Sequence, residues 1–535
     1  MLDTLKRVSE EALQEIEEEK KIRKTDEIFL LFAMGSQFDH LIKQSLEKSG
    51  VFCMVSDPKS VTAEDVRKIA PKGIILSGGP ASVHTDPPPF DDRIFDLDIP
   101  VLGICLGFQM WAKHLGASVV SAAKREFNIH ALSITDVTEE LFYGCEHVTP
   151  VLQSHGDIIE PNHIFRVLAS TDNSPVAAGR YKNLWGVQFH PEVTETIQGG
   201  QMFENFCFRI CGAKDRYPAE KEAERKIAEL REKVGDENVL VALSGGSDSS
   251  TAIYLLKEAK KGRKGKIKAI YIKGVDRPDD EAYVKEYFGS RDWVELKIVD
   301  ATEDFLVALK GKLVMKEKRR AMKGIYHDIL QREAKLFGAK FIMQGTLYTD
   351  ISETGGGYQS GATKAVIKEH HNVNHDWDDL VELTPLADCV KDGGRNIGRS
   401  IGVPEDLLTR HPFPGPGLVV RIDGEVNAQS LAIAREVDRI YIEELRRWNL
   451  YYTVWQVGAV VTNTTTTCTK GDDAVKGIVI IIWAVWSVNG FTAQAAELPN
   501  DFLKHVDRRI TNEIREVGAT AYRLTGKPPS TIEIG

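Results

Sequence analysis

The chain has 535 residues, of which 42% are hydrophobic and 27% charged, and its formal net charge is -10. A chain of this length predicts three or four domains, and its acidic balance argues against a nucleic-acid partner. The longest apolar run, residues 478–488, is far shorter than the ~20 residues that span a bilayer, and the chain starts with charged residues, so no membrane partner is expected. Seven cysteines without paired metal-ligand spacing indicate a reduced, cytoplasmic setting.

The first 24 residues are rich in Glu and Lys and place Leu2, Leu5, Leu13 and Ile16 at helical spacing. This pattern predicts a solvated amphipathic helix that precedes the first domain. A structural extension is the plainer interpretation of such a segment.

From residue 28 onward, short apolar runs alternate with helical patterns. The runs I-F-L-L-F-A, G-I-I-L-S and V-L-G-I each end at small residues, as parallel strands do where ligands bind at their carboxyl ends. Residues 25–213 are therefore predicted to form an α/β domain with a doubly wound parallel sheet. The charged residues 214–236 predict a linker helix after it.

Cys105 follows the third of these runs and lies between two glycines in G-I-C-L-G-F-Q. Such glycines permit a strained turn that presents a side chain at a helix N-terminus, where a thiolate is favoured. Downstream, His190 and Glu192 offer a base and a group that orients it. Taken alone, Cys105 is more simply a buried structural cysteine. With a Gly-Gly loop able to supply oxyanion amides, the three residues predict an acyl-transfer site.

A second buried strand, residues 239–243, runs into S-G-G-S-D-S-S at residues 244–250 and then into a helical pattern. The glycines allow positive φ, and the hydroxyls and helix-start amides suit an anion. Asp248 is placed to hold Mg²⁺ against phosphates. An ordinary strand-to-helix turn is the alternative, and the missing lysine excludes a Walker A loop. Later strands predict a second doubly wound domain over residues 237–422.

Two polar groups of the second half suit a nucleotide site. Lys318, Arg319 and Arg320 form a basic cluster, which is either a solvated helix face or a phosphate-binding site. Asp350 and Glu353 follow a strand and are placed to bind a metal ion or a base.

A glycine-rich stretch, residues 355–361, is predicted to form a mobile lid. His370 and His371 follow it, and because adjacent histidines rarely share a metal, they are predicted to contact substrate rather than zinc. The proline-dense residues 410–418, R-H-P-F-P-G-P-G-L, predict a rigid loop beside a ligand.

These motifs resemble those of known families. S-G-G-P, G-I-C-L-G-F-Q, S-H-G-D and G-V-Q-F-H-P-E look like a class I glutamine amidotransferase, and S-G-G-S-D-S-S resembles the PP-loop of ATP pyrophosphatases. With the terminal T-G-K-P-P-S-T-I-E, residues 25–533 resemble the glutamine-hydrolysing GMP synthetase family. The resemblance implies an α/β fold of two doubly wound parallel-sheet domains and an α+β dimerisation domain over residues 423–535.

The resemblance also implies a role for each candidate residue. Cys105 would be the nucleophile, His190 the base and Glu192 the group that orients it. Oxyanion and glutamine contacts would fall on Gly79, Leu106 and Gln109, ATP contacts on Ser244, Gly245, Gly246, Ser247, Asp248, Ser249 and Ser250, and XMP contacts on Arg320, Lys368, Lys527, Ile532 and Glu533. Mg²⁺ would be the cofactor, held by Asp248, and the partner would be a second copy of the chain.

The implied reaction uses XMP, ATP and glutamine. ATP is cleaved to AMP and pyrophosphate as it adenylates XMP, and ammonia from glutamine then displaces AMP to give GMP. Lys368 and the cluster of residues 318–320 would neutralise phosphate charge.

Some positions depart from the family's pattern. Asn128 stands where glycine is frequent, Lys273 and Gly274 stand where the family's adenine loop usually reads Asp-Asn-Gly, and residues 463–472 form a threonine run. Trp483 and Trp486 replace charged residues, which predicts added apolar surface. These departures keep open a second interpretation, a divergent or engineered homologue that retains the fold, nucleotide binding or glutamine hydrolysis but aminates XMP poorly. Another adenylating amidotransferase, such as NAD synthetase, is disfavoured by K-P-P-S-T-I-E.

Overall fold

The structure, a computed structural model, describes residues 4–5, 10–23, 25–36, 38–84, 88–161, 163–193, 195–216, 219–347, 377–389, 391–470, 473–487, 493–527 and 530–533. The chain divides into two compact units between Arg225 and Lys226. Within the described ranges, no helix is both long and apolar enough to cross a membrane. All seven cysteines are free thiols.

The first unit is built on one ten-stranded sheet. Its strands are β1 (Thr4–Leu5), β2 (Ile28–Phe32), β3 (Phe52–Ser56), β4 (Gly73–Leu76), β5 (Val101–Ile104), β6 (Val119–Ile134), β7 (Val148–Ile159), β8 (Arg166–Ser170), β9 (Ala178–Tyr181) and β10 (Leu184–Val187). They lie in the order β1-β3-β2-β4-β5-β10-β9-β8-β6-β7. The first six in this order are parallel, as predicted, and the other four continue the sheet antiparallel.

Helices cover this sheet and bury its central strands. They are α1 (Glu10–Arg23), α2 (Asp39–Lys48), α3 (Ala63–Ile69), α4 (Leu106–His114) and α5 (Gly199–Glu204). The next helix, α6 (Ala219–Val234), contains the point at which the chain passes from the first unit to the second. Strands β2 and β3 are buried at all five positions, which is why their sequences read as continuous apolar runs. The charged segment 214–236 does contain the predicted helix, α6.

The amino-terminal segment differs from its prediction as a solvated helix. Residues 4 and 5 form β1, a strand that pairs with Val55 and Ser56 at the edge of the sheet. Only residues 10–23 are helical, and Ile16 is 1% exposed because it packs into the core of the first unit. Leu13 lies at the margin of the same core.

The second unit contains the predicted parallel sheet. Its strands are β11 (Val239–Ala242), β12 (Ile267–Lys273), β13 (Glu295–Asp300), β14 (Phe341–Met343) and β15 (Val381–Leu383), in the order β13-β12-β11-β14-β15. The helices of this unit after α6 are α7 (Ser247–Ala259), α8 (Asp280–Phe288), α9 (Thr302–Leu309), α10 (Met315–Phe337), α11 (Lys391–Ser400), α12 (Glu405–Thr409), α13 (Ala428–Arg447) and α14 (Asn500–Glu513). All neighbouring strands of this sheet are parallel.

A smaller, mostly antiparallel sheet completes the second unit. Its strands are β16 (Gln456–Lys470), β17 (Asp473–Trp486), β18 (Gln494–Ala495) and β19 (Val517–Tyr522). One buried apolar cluster joins side chains of the parallel sheet, such as Ile342, to those of the smaller sheet and its helices, such as Ile480 and Val506. The two parts predicted as separate domains thus share a core, and the boundary at residue 422 stays a prediction.

Asn128 explains one departure from the family's pattern. Its φ of 78° lies in the left-handed region, which glycine and asparagine tolerate better than other residues. The position therefore has a backbone requirement that glycine also meets.

We expect Asn128→Val to lower the free energy of unfolding by about 1–2 kcal/mol, because a β-branched residue is strained at this φ, whereas Asn128→Gly should be tolerated. Urea unfolding of the three proteins measures this. Lys124→Val is the matched control, since Lys124 is an exposed residue of the same strand without positive φ. Equal losses at both positions would contradict the backbone explanation.

Candidate functional site

Cys105 lies in a strained turn between β5 and α4. Its φ of 50° and ψ of -103° are rare for any residue but glycine, and it is the N-cap of α4. The turn is tight: a Cβ on Gly103 would lie 2.6 Å from the Gly107 backbone, and one on Gly107 would lie 2.6 Å from Leu76. The two glycines therefore let the strand and helix approach closely enough to present the thiol at the helix N-terminus.

His190 and Glu192 lie beside this turn, as the sequence predicted. His190 Nδ1 is 2.7 Å from Glu192 Oε1, and both side chains are buried. Burial alone would lower the pKa of His190, but the charge of Glu192 and hydrogen bonds to Cys105 and Glu192 outweigh it and raise that pKa to about 10. The raised pKa favours the protonated form of the ring, which lies beside the Cys105 sulfur.

The residues predicted to supply oxyanion and glutamine contacts are linked to the Cys105 turn by the following contacts, and their roles stay predictions. Leu106 is the first residue of α4, where backbone N–H groups have no partner within the helix. Its side chain lies against Gly79, at 3.1 Å from an added Cβ. The Gln109 side-chain nitrogen donates to the Asp157 carbonyl at 3.1 Å and to Gln188 Oε1 at 3.2 Å. Gln109 is thus oriented by two acceptors, one of them on β7.

Gln188 and His155 are two residues of this site that the sequence reasoning did not assign. Gln188 Nε2 lies 3.6 Å from Cys105 Sγ, and His155 Nδ1 lies 3.0 Å from the Asp157 carbonyl that also accepts from Gln109. Both residues belong to motifs that were recognised, G-V-Q-F-H-P-E and S-H-G-D. Their presence in those motifs was the available signal.

The phosphate loop has the expected strand-loop-helix form. Gly245 has a φ of 74°, whereas Gly246 has a φ of -81° and is the N-cap of α7, so only the first glycine uses positive φ. Ser249 Oγ ties the loop together, since it accepts from the Ser244 N–H at 3.2 Å and lies 2.9 Å from Ser244 Oγ. The side chain of Asp248 stands at the start of α7.

Lys391, at the start of α11, pairs with Asp248. Its Nζ lies 2.7 Å from Asp248 Oδ2, and both side chains are partly buried. The sequence reasoning did not assign Lys391, because it lies 143 positions after Asp248 and no motif joins the two residues.

A cavity of about 380 Å³ opens beside this loop. Of the predicted ATP and XMP residues, it is lined by Ser244, Gly246, Ser247, Asp248, Ser249, Lys527, Ile532 and Glu533. Gly245 and Ser250 lie outside the lining. The loop and the carboxy-terminal motif, nearly 300 positions apart, therefore share one cavity.

The basic cluster of α10 is only partly as predicted. Lys318 is 0% exposed and donates from Nζ to the Ile422 carbonyl at 2.8 Å, so it is neither solvated nor directed at a phosphate. Arg320 is exposed and is not part of the cavity lining, whereas Arg319 lines the cavity. The helical period explains this, since only one of three consecutive residues can face a given side.

A buried ion network stands behind Glu533. Arg421, which is 0% exposed, binds Glu533 through Nη2 at 2.8 Å and Nε at 3.1 Å and binds Asp438 through Nη1 at 2.8 Å. Arg277 Nε lies 2.9 Å from Asp438 on its other side. Gln456 Nε2 donates to Glu533 Oε1 at 2.8 Å. The carboxylate that lines the cavity is thus held in one orientation.

Two departures from the family's pattern fall outside the cavity lining. Lys273 pairs with Glu281 at 3.1 Å and Asp300 at 3.2 Å. Trp483 is fully buried and adds no apolar surface, contrary to prediction, because its ring lies against the Arg421 and Arg523 guanidinium groups. Trp486 is 44% exposed, as expected.

Several predicted residues lie outside the described ranges. They are Asp350, Glu353, Lys368, His370, His371 and the glycine-rich residues 355–361. Their roles stay predictions.

Comparison with known proteins agrees with this geometry. Residues 30–210 match the family described as glutamine amidotransferase class-I, and residues 443–534 match the GMP synthase C-terminal domain. The chain is 41% identical to the GMP synthase [glutamine-hydrolyzing] of Aquifex aeolicus over 94% of its own length and 98% of that protein. Relatives with the same description in Caldanaerobacter subterraneus and Francisella tularensis are 39% and 38% identical, over 95% and 94% of this chain and 99% and 98% of theirs.

The fold and the first site thus define a class I glutamine amidotransferase domain joined to a nucleotide-binding unit. More particularly, the chain belongs to the glutamine-hydrolysing GMP synthase family.

We expect Glu192→Gln to lower the pKa of His190 from about 10 toward its ordinary 6.5, because the amide keeps a hydrogen bond but loses the charge. Histidine-selective NMR titration measures this. Glutamine hydrolysis at neutral pH should fall with it, since less imidazolium remains beside the sulfur. Glu160→Gln, an exposed position of the same unit, is the control. An unchanged His190 titration in the Glu192 variant would contradict the assignment.

Arg421→Met should cost about 3–5 kcal/mol of unfolding free energy, because it leaves two buried carboxylates, Glu533 and Asp438, without their shared partner. Denaturant unfolding followed by tryptophan fluorescence measures it. Arg515→Met is the control, since Arg515 is exposed and its loss should change stability by less than about 0.5 kcal/mol. Similar unfolding free energies of the two variants would show that the ion network does not stabilise the fold.

Proposed function

We propose that the chain aminates XMP to GMP, with ATP cleaved to AMP and pyrophosphate and with ammonia supplied by glutamine hydrolysis. One observation carries the proposal: the phosphate loop at residues 244–250 and the terminal residues Lys527, Ile532 and Glu533 line one cavity. A reaction that adenylates a second nucleotide needs the two nucleotides side by side. In this cavity the phosphate loop would contact one nucleotide and the terminal residues the other.

The lining of the cavity changes along its length. At the loop end, hydroxyls and helix-start amides accompany the cations Lys391 and Arg410, which suit a triphosphate. A Cβ on Gly245 would lie 3.7 Å from Arg410 Nη1, so the guanidinium stands beside the loop.

A second region of the lining is apolar. Ile270, Ile272, Val275 and Leu330 are buried side chains of this wall, and they suit the faces of a purine base. Phe413, from the proline-dense loop, lines the cavity as well, which supports the prediction that this loop lies beside a ligand. We assign this region to the adenine of ATP.

The third region combines Lys527, Gln456 and Glu533. A cation suits the phosphate of XMP, and a fixed carboxylate and amide suit the polar edge of its base. The Arg421 network keeps Glu533 in place for this contact.

Glutamine hydrolysis would proceed on Cys105. The thiolate attacks the side-chain carbonyl carbon of glutamine, while the Gly79 and Leu106 amides stabilise the oxyanion. His190 gives its proton to the leaving nitrogen, which departs as ammonia and leaves a thioester. His190 then takes a proton from a water molecule, and the resulting hydroxide attacks the thioester and releases glutamate. This step regenerates the thiolate of Cys105 and the imidazolium of His190.

In the second unit, the 2-oxygen of XMP attacks the α-phosphorus of ATP and pyrophosphate leaves. Ammonia then attacks the activated carbon, and AMP departs to give GMP. Lys391 and Arg410 offset the charge that gathers on the phosphates. By its predicted role, Lys368 would also help to neutralise the phosphate charge.

Asp248 fits a magnesium site. Its carboxylate faces the cavity at the helix start, and Mg²⁺ is commonly bound by one or two carboxylates with substrate phosphates supplying the other oxygens. When bound, the ion neutralises phosphate charge.

We also propose that residues 423–535 form a homodimer interface in a cytoplasmic enzyme. Large apolar side chains remain exposed in this part of the chain, among them Tyr452 at 75% and Leu524 at 80%. Sedimentation equilibrium of the full chain tests the proposal, and a monomer mass at micromolar concentration would overturn it.

The direct test of the reaction is pyrophosphate release from ATP, with ammonium salt as the nitrogen source. Release that requires XMP, and is not supported by deamido-NAD, is the expected result. No release with XMP, while glutamine is still hydrolysed, would overturn the proposal in favour of a divergent homologue impaired in XMP amination.

Cys105→Ala should abolish glutamine-dependent GMP formation, with at least about a 10³-fold loss, and leave ammonia-dependent formation intact. Cys53→Ala, which removes a buried thiol of the same unit, is the control. Loss of both activities in a folded Cys105 variant would contradict the two-site scheme.

Asp248→Ala should abolish GMP formation from either nitrogen source, because without the adenylate ammonia has nothing to attack. Glutamine binding should remain measurable in this variant. Asp236→Ala serves as the control, since Asp236 lies outside the cavity lining. Undiminished ammonia-dependent synthesis by the Asp248 variant would exclude its role.

A further inference from the structure

Gln188 is a fully buried amide that touches the proposed nucleophile. Its side chain is 0% exposed, and its Nε2 lies 3.6 Å from Cys105 Sγ, within hydrogen-bonding distance for sulfur. Gln188 is two residues before His190, so on an extended segment the two side chains project to the same side. Within the described ranges, Gln188 is thus a candidate donor to the sulfur in addition to the imidazole.

The direction of this hydrogen bond follows from a chain of contacts. The Asp157 carbonyl can only accept, so the Gln109 amide turns its nitrogen toward it, at 3.1 Å. The second N–H of Gln109 donates to Gln188 Oε1 at 3.2 Å. Since the oxygen of Gln188 is thus engaged, its nitrogen end is the one that faces Cys105.

The Asp157 carbonyl, where this series of contacts begins, is itself held in place. His155 Nδ1 lies 3.0 Å from the Asp157 carbonyl, and His155 Nε2 lies 3.1 Å from Glu126 Oε2. Glu126 is 0% exposed, and Thr171 donates to its other oxygen at 2.6 Å. The carbonyl that fixes both amide orientations is therefore anchored by a buried pair on neighbouring strands, β6 and β7.

We propose that Gln188 is a further catalytic residue of glutamine hydrolysis, which donates its N–H to the Cys105 thiolate. The imidazolium of His190 stabilises the thiolate by charge, whereas the amide donates along a fixed direction and limits where the sulfur lone pairs point. Hydrogen bonds to charged acceptors are stronger than neutral ones. This inference rests on the proposed function, since it assigns Cys105 the role of nucleophile.

The test compares three amino acids at position 188. Gln188→Leu keeps the approximate volume and removes the donor, and Gln188→Glu keeps the shape but places a carboxylate beside the sulfur. Gln44→Leu is the matched control, because Gln44 is a buried amide of α2 whose nitrogen has no partner among the described residues. Gln188→Met, also without a donor, replaces the leucine variant if that protein does not fold.

Two rates are measured for each protein. The first is alkylation of Cys105 by iodoacetamide, followed by peptide mass spectrometry because six other thiols are present. The second is kcat/KM for glutamine. Ammonia-dependent pyrophosphate release with XMP reports independently on the second unit. If the proposed reaction is wrong, this release is absent even in the wild-type protein, while the comparison of alkylation rates remains valid.

The expected order is wild type, then Gln188→Leu, then Gln188→Glu. Loss of one hydrogen bond to a thiolate should slow both rates by about tenfold in the leucine variant, and the carboxylate should slow them further. The Gln44 control and ammonia-dependent release should be unchanged. Alkylation of the leucine variant at the wild-type rate, or faster alkylation of the glutamate variant than of the leucine variant, would overturn the proposal.

Discussion

Parallel strands place their carboxyl ends on the same edge of a sheet, and both candidate sites depend on this constraint. A parallel connection usually crosses back through a helix, so a strand end is often followed by a loop and a helix N-terminus. Cys105 follows β5 in this way, and the loop at residues 244–250 follows β11. One site uses the helix start to favour a thiolate, and the other uses it to receive phosphate.

The second organising feature is the pairing of charges that folding removes from water. His190 with Glu192, two positions apart, and Arg421 with Glu533, 112 positions apart, are both buried pairs. Each pair costs desolvation energy that only good geometry offsets. Such pairs hold the side chain that faces a ligand in a single orientation. Exposed side chains, by contrast, move among several orientations.

Much of the fold and part of the candidate sites could be predicted from the sequence. The buried strands and the elbow at Cys105 are local patterns, in which apolar runs, flanking glycines and the next helix lie within a few residues. Gln188 and His155 lay within recognised motifs but had no assigned role, since their function depends on partners in other strands. Lys391 and Arg421 have no local signal, because the carboxylates that they bring to the cavity, Asp248 and Glu533, are more than 100 positions away. The prediction for the basic cluster was incomplete for a related reason. The sequence shows three adjacent charges, but it does not show that Lys318 is buried and donates to the Ile422 carbonyl.

The pairing of β1 with β3 has a consequence for the behaviour of the chain at high concentration. Strand β3, F-C-M-V-S, is apolar and buried at every position, and without β1 it would present unpaired amides and carbonyls at the sheet edge. Open edges of this kind template intermolecular pairing. Even a two-residue strand blocks part of that edge, at Val55 and Ser56, and the charged helix α1 follows it. The amino-terminal strand thus shortens the open edge along which another chain could pair with the sheet.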